Sequence, residues 1–335
     1  MSMDNLRILV IGAGVNGSAV AAGLHNGGLD VTVLARGERY QALLNEGIII
    51  ENPFRKNKRN VTRVPVIDCL EPQDRYDFVL VVIRKNQVPG VLPALAQNCS
   101  PNIVFMGNNL CGPQEFIQVL GRERVMMGAV YAAGKRDGNL VRAMVFTSAA
   151  APFGELDGSL SPRLKQLTGI LRRAGFKAEE SRDIVNTQRT HAAGVALIAR
   201  LVINHACNTY ALGRSPKELR LYTLARREAL QVLEALGYQV LPKSEAVMAK
   251  LPVFLQVAGM QALLGTRFGE VGLGWHCSQA PDEVGQLANE LEALVAESGL
   301  DTPAIRELLG TAGKDLTTQV TKGHEGKDLS VIKEK

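Results

Sequence analysis

The sequence predicts an α/β N-terminal domain followed by an all-α C-terminal domain. Three observations predict it. A β-branched run, Ile8 to Ile11, passes directly into Gly12-x-Gly14-x-x-Gly17 and a helical stretch from Val15 to His25. Short runs with strand character then recur as far as Ala178. From about Ile184 onward no such run appears, and the chain reads as successive helices.

Each glycine of the opening motif has a mechanical role. Gly12 allows a tight turn out of the strand, Gly14 leaves room for a pyrophosphate against the backbone, and Gly17 lets the helix pack close to the strand. Free N–H groups at the helix N-terminus then face the phosphates. Gly12, Ala13, Gly14, Val15, Asn16 and Gly17 are therefore the expected cofactor turn of a Rossmann-type domain.

The remaining elements follow in order. Gly27-Gly28 ends the first helix, and Asp30 to Leu34 is the second strand. An NAD-preferring fold carries an acid at the tip of that strand, for the ribose 2′-hydroxyl. Here the strand ends Leu34-Ala35-Arg36, and Arg36 suits a 2′-phosphate, so NADPH is the expected cofactor. Glu38 is the nearby residue that could act as a displaced acid. Leu43 to Ile50 reads as a short helix and strand, and Val61 to Ile67 as another strand. Asp77 to Ile83 is a fully apolar central strand, the fourth parallel one, which delivers Arg84 to Gln87 at its carboxyl end. Asn102 to Met106 delivers Gly107, Asn108 and Asn109 in the same way, where ligands of such sheets bind. Val125 to Tyr131, Leu140 to Thr147 and Pro152 to Leu156 read as strands, with a turn at Arg136-Asp137-Gly138-Asn139 between the first two. Leu164 to Ala174 is a helix and Phe176 to Ala178 an edge strand. Helices follow at His191–Leu212, Lys217–Leu236, Val247–Leu264, from Pro281 to Gly299, and at Pro303–Leu309. The expected division is 1–183, 184–312 and a polar tail 313–335, with the active site between the first two parts.

Composition narrows the function. With 46% hydrophobic and 21% charged residues the chain is globular rather than disordered. The net charge of +5 comes from scattered Lys and Arg, without a basic run interleaved with aromatics, so nucleic acid is not the expected partner. A mildly basic balance suits an anionic cofactor and an anionic substrate. The five cysteines form no CxxC pair, so neither a disulfide framework nor a zinc site is indicated, and reduced thiols in a cytoplasmic protein are expected. The chain enters a strand at once, leaving no room for a signal peptide, and no apolar run is long enough to cross a bilayer. The Ala-rich stretch Ala192 to Ala211 could serve a homodimer interface.

The glycine turn, the Leu34-Ala35-Arg36 strand end, Ile83-Arg84-Lys85-Asn86-Gln87, Gly107-Asn108-Asn109, Pro281-Asp282-Glu283-Val284, Glu297-Ser298-Gly299 and Thr302-Pro303 together resemble the ketopantoate reductase family. The resemblance implies NADPH-dependent reduction of a 2-oxo acid, 2-dehydropantoate in that family. It implies cofactor roles for Arg84, Asn108 and Glu283, with Asn108 also near the substrate. The family's Lys of a K-x-x-Q pattern is Arg84 here, and its Asn-Gly is Asn108-Asn109. The family's catalytic Lys, followed by Asn residues four and eight positions on, corresponds to Arg200, Asn204 and Asn208, a spacing that sets all three on one helix face. Arg holds its proton across physiological pH, so Arg200 would stabilise charge rather than donate. Other members carry a His-Ala early in this helix and a second His before the closing Glu, which implies His191 as general acid and His276 on the substrate side. Catalysis by Arg84 together with either His191 or Arg200 is expected, with Asn204, Asn208 and His276 facing substrate. A reductase of imines or bulkier keto acids, and a non-catalytic NADPH sensor, are the alternatives. His25, His205 and His324 read as structural, and Trp275 either walls the pocket or simply packs.

Overall fold

The structure, a computed structural model, describes residues 6–55, 58–129, 132–146 and 149–310. Strands β1 (Arg7–Ile11), β2 (Asp30–Leu34), β3 (Ile48–Glu51), β4 (Arg59–Thr62), β5 (Val66–Ile67) and β6 (Phe78–Val81) come first. They are followed by β7 (Ile103–Phe105), β8 (Val125–Gly128), β9 (Ala132–Asp137), β10 (Leu140–Val145), β11 (Ala151–Glu155) and β12 (Ala178–Glu180). Helices α1 (Val15–Asn26), α2 (Gly37–Glu46), α3 (Leu92–Gln97), α4 (Gln114–Leu120) and α5 (Pro162–Arg173) lie among them.

The main sheet runs β12-β11-β8-β7-β6-β1-β2-β5. From β5 to β8 every neighbouring pair is parallel, giving the doubly wound order that places a ligand crevice at the carboxyl ends of β1 and β6. Ile8, Leu9 and Val10 are wholly buried, because helices cover both faces of a parallel sheet. Leu24 of α1 and Leu167 and Leu171 of α5 pack one face, and Leu92, Leu95 and Phe116 pack the other.

Sequence periodicity missed a second sheet of four strands, β4-β3-β10-β9, among the described residues. The run Val61 to Ile67 is not one strand. Pro65 has no N–H to pair, and the segment divides into β4 in the second sheet and β5 in the first. The run from Val125 ends as β8 at Gly128, and the turn at Arg136 to Asn139 joins β9 to β10 instead. The expected strand ends at Tyr131 and Thr147, and the tail 313–335 with His324, lie outside the described residues.

After β12 the described chain is helical: α6 (Ile184–Asn204), α7 (Thr209–Gly213), α8 (Pro216–Ala235), α9 (Lys243–Lys250), α10 (Val253–Leu264), α11 (Arg267–Gly269), α12 (Trp275–Gln279), α13 (Pro281–Ser298) and α14 (Pro303–Gly310). A π-helical turn, Glu270–Gly274, joins α11 to α12. The expected single helix His191–Leu212 is broken. Ala206 and Cys207 take φ of 51° and 60°, and Asn208 restarts the chain by capping α7 at Ala211 N. The expected helix Val247–Leu264 is likewise two helices bent by 112°, with Pro252 just before α10. The Ala-rich face expected at a dimer interface is spent inside the chain: Ala192, Ala193 and Ala196 are wholly buried against α8 and α13. No single described helix is long and apolar enough to cross a membrane.

Candidate functional site

The glycine turn behaves as its spacing predicts. Gly12 has φ of +106°, and a Cβ there would lie 2.5 Å from Val82 O. A Cβ on Gly17 would lie 2.0 Å from Gly12 O, so only a bare helix surface can pack here. A Cβ on Gly14, by contrast, would meet open space. No side chain caps α1 and no acid stands in its first turn, which leaves its N-terminal N–H groups for a ligand. Asn16 Oδ1 is buried without a hydrogen-bond partner beside the same cleft. Open space at Gly14 and unpaired helix N–H groups fit a dinucleotide diphosphate.

This turn opens into a cavity of about 660 Å³ between the carboxyl edge of the main sheet and the helical half. Gly12, Ala13, Gly14, Val15, Asn16, Arg36, Arg84, Asn108, His191, His276 and Glu283 all line it. Gly17 lies beneath the turn rather than on the wall.

At the β2 end the wall is basic. Arg36 is exposed at the start of α2. Arg39 also reaches the cleft and donates to Ala13 O at 3.0 Å and Ser18 Oγ at 3.1 Å, and to the Asn139 side chain of the β9–β10 hairpin. Burial, together with the nearby charge of Arg136, pushes Arg39 down to about 10 despite Glu46. Arg136 lines the cleft as well, and among its described lining residues only Glu283 is acidic. Glu38 is exposed on α2 and does not line it.

At the other end a polar row crosses from sheet to helices. Asn108, carried by β7, donates to Glu283 Oε1 at 3.2 Å, and Glu283 is 7% exposed at the start of α13. Burial holds the His276 imidazole below its usual value; the Glu283 charge opposes this and Arg84 adds to it. His191, on α6, is an exposed residue whose ring opens onto the cleft. Desolvation within the cleft, with the charges of His276 and Arg226, pushes it down to about 4, so its ring is neutral at pH 7. One turn before it, Gln188 is buried and donates Nε2 to Gly128 O at 2.5 Å, pinning α6 to the strand ends.

Several expected residues stand elsewhere. Arg84 reaches the cleft, but its guanidinium is occupied by Asp282 Oδ1 at 2.8 Å and by Gln279 O. Burial works against the Asp282 carboxylate, yet hydrogen bonding from Asn86 and the Arg84 charge hold it below its ordinary value. Lys85 points away from the cleft and forms a buried ion pair with Glu290 of α13 at 2.6 Å. Arg200, Asn204 and Asn208 do not line the cleft. Arg200 lies on a different face of α6 from His191, within the electrostatic reach of Glu292 on α13. Asn204 is exposed at the end of α6 and Asn208 is beyond its break, so the three share no helix face. Asn109 is buried and structural, bonding Gly112 in both directions at 2.9 Å. His205 pairs with Glu218 at 2.7 Å. Trp275 packs between Lys135 and Arg267, each 4.8 Å from its ring, off the cleft.

Arg39, Arg136 and Gln188 are cleft residues that sequence reasoning missed. Helical spacing could have found two of them: Arg39 stands three residues after Arg36, and Gln188 three before His191. Arg136 carried no such signal.

Comparison with known proteins places this geometry. Residues 8–158 match the family model described as ketopantoate reductase PanE/ApbA. A 2-dehydropantoate 2-reductase of Archaeoglobus fulgidus is 27% identical over 249 residues, covering 71% of this chain and 78% of that protein. The fold is similar to 2-dehydropantoate 2-reductase from Geobacter metallireducens, with a TM-score of 0.75 and 18% identity over 91% of this chain and 98% of that one. It is also similar to D-mandelate dehydrogenase solved with NADH and anilino(oxo)acetate, with a TM-score of 0.72 and 18% identity over 91% and 96% of the two chains. The region that holds the glycine turn, Arg36, Arg84 and Asn108 is therefore the part of the chain that is similar to the ketopantoate reductase family.

Proposed function

We propose that the protein is an NADPH-dependent reductase of a 2-oxo acid. The observation that carries this reading is one continuous cleft with a diphosphate-sized glycine turn at one end and the Asn108–Glu283–His276–His191 row at the other. A nicotinamide bound between them supplies the hydride. The residues of this chain do the rest. Amides of α1 hold the diphosphate. Arg36, supported by Arg39 and Arg136, takes the 2′-phosphate, and the absence of an acid among the described lining residues at that end favours it. Asn108, held by Glu283, positions the ring and the substrate. A ring nitrogen of His191 gives its proton to the carbonyl oxygen as negative charge develops there. Arg84, clamped by Asp282 and Gln279, shapes the cleft wall rather than donating a proton. The division at 183/184 follows the end of the sheet and separates a cofactor part from a substrate part. Five free thiols suit a reducing compartment such as the cytoplasm.

The test follows coenzyme absorbance with a panel of 2-oxo acids, using NADPH and NADH in parallel because the similar D-mandelate dehydrogenase was solved with NADH. Turnover with NADPH favoured is expected, and Arg36→Gln should weaken NADPH binding roughly 10-fold or more while sparing NADH, the loss of a charge-assisted contact. Oxidation of neither coenzyme with any 2-oxo acid would sink the reductase reading.

A further inference from the structure

The cleft changes character along α6. Gln188 marks the sheet edge, where the nicotinamide belongs, and His191 stands one turn on. Val195, Ile198 and Ala199 continue the same face, so the wall extends about 12 Å beyond His191 at 1.5 Å per residue. Across from them stand Gly272, Leu273 and the ring of Phe146. Gly272 and Phe146 face one another at this end: a Cβ on Gly272 would make an ordinary contact with Phe146 Cζ, at 3.7 Å. Cys277 also lines this end, and burial pushes its thiol up to about 12, leaving it neutral and a weak hydrogen-bond partner. At the sheet side Thr187 Oγ1 is engaged with Asp183 O and Gln279 accepts from Arg136 N and Arg84, and the unpartnered acceptors Gln188 Oε1 and Asn16 Oδ1 lie at the sheet edge and the glycine turn, away from this end. Asn204 and Asn208, whose amides could have met a substrate hydroxyl, are outside. A hydroxyl carried into this end would lose its water and gain no strong partner among the described residues.

We propose that the substrate's side chain is apolar, branched or aromatic and without a hydroxyl, and that Val195, Ile198, Ala199, Leu273 and Phe146 select it. This rests on the reductase reading above.

The decisive comparison uses two acids that differ by one hydroxyl, 3,3-dimethyl-2-oxobutanoate and its 4-hydroxy derivative. The expected kcat/KM favours the first by about 10- to 100-fold, the range an apolar pocket achieves against an added hydroxyl. Phenylglyoxylate and 4-methyl-2-oxopentanoate should exceed pyruvate, whose methyl leaves the pocket unfilled. Val195→Thr, close in volume but with a hydroxyl, should narrow the ratio, and Leu273→Gln serves as an independent second variant. Coenzyme affinity controls for folding in both. Turnover with equal or greater preference for the hydroxylated acid overturns the side-chain assignment and leaves the reductase reading intact. No turnover of these two acids, phenylglyoxylate or 4-methyl-2-oxopentanoate overturns the side-chain assignment, and no turnover of any 2-oxo acid in the panel with either coenzyme overturns both.

Discussion

His191 shows how one residue's surroundings set its chemistry. In the free protein its ring is neutral at pH 7, because desolvation and the charges of His276 and Arg226 push it down to about 4. In the general-acid role proposed above the ring must carry a second proton, so the substrate has to supply the missing field. A 2-oxo acid would bring a carboxylate into a cleft where Glu283 is the one acid among the described lining residues, and that negative charge would favour the protonated imidazolium and raise its pKa. Binding of the unreactive analogue oxamate to the coenzyme-loaded protein should therefore take up protons between about pH 5 and 7. Titration calorimetry in two buffers of different ionisation enthalpy reads that uptake, and His191→Asn should reduce it sharply. The same substitution should cut kcat by about 10²- to 10⁴-fold, the ordinary worth of a positioned acid, with coenzyme affinity unchanged. Uptake of no protons by the wild-type protein would leave His191 without its role. His191 was legible in the sequence only as one of two helix registers; its competitor Arg200 was discarded by burial pattern, since α6 has to bury its Ala-rich face and carries Arg200 round toward α13.

Among elements, the β1–α1 unit and α6 behave oppositely as objects of sequence reasoning. The glycine turn is a local device. Gly12 needs φ of +106° and Gly17 needs contact with Gly12 O, and both demands arise within six residues. Gly17→Ala should abolish measurable coenzyme binding and lower the thermal midpoint, because its methyl meets backbone that cannot move aside; near-native affinity would contradict the packing argument. α6 depends on distant partners. Its periodicity announces a helix, yet where it stops is set by the turn at Ala206 and Cys207, two residues with positive φ and no glycine between them. The second sheet was hidden for a related reason. Its central pair joins Ile49 to Leu140, and no short-range pattern reports a partner so far along the chain. The helix at Trp275–Gln279, which carries His276, was missed because Gly272 and Gly274 in the π-helical turn before it dilute the helical signal.

For the whole molecule, the question is what holds the helical half over the sheet edge so that the cleft exists. Asp282 receives Arg84 and Asn86 at 2.8 and 2.7 Å, Arg189 donates to Leu110 O at 3.1 Å, and Lys85 meets Glu290 at 2.6 Å. The last pair is the costly one. Its side chains are only 8% and 11% exposed, and Glu290 Oε2 has no hydrogen-bond partner, so removing one member strands the other charge in a poorly solvated seam. Lys85→Ala should destabilise the fold by about 3–5 kcal/mol, read as a lower urea midpoint. Lys85→Met combined with Glu290→Leu should recover most of that loss, and failure to recover it would assign Lys85 a role beyond neutralising Glu290.

The amino-acid order by itself determined the class of fold, the dinucleotide turn, the strand ends that present Arg36, Arg84 and Asn108, and the switch to helices after Ala178. These are decided by contacts between residues close in the chain, or by a period that a buried face imposes. Tertiary structure alone decided which polar residues share the cleft. It turned Lys85 into a seam, tied Arg84 to Asp282, sent Arg200 and both asparagines outside, and brought His191 beside His276. Those outcomes depend on how sheet and helices dock, and docking is settled by the burial of whole faces, a sum over many residues that no single spacing records.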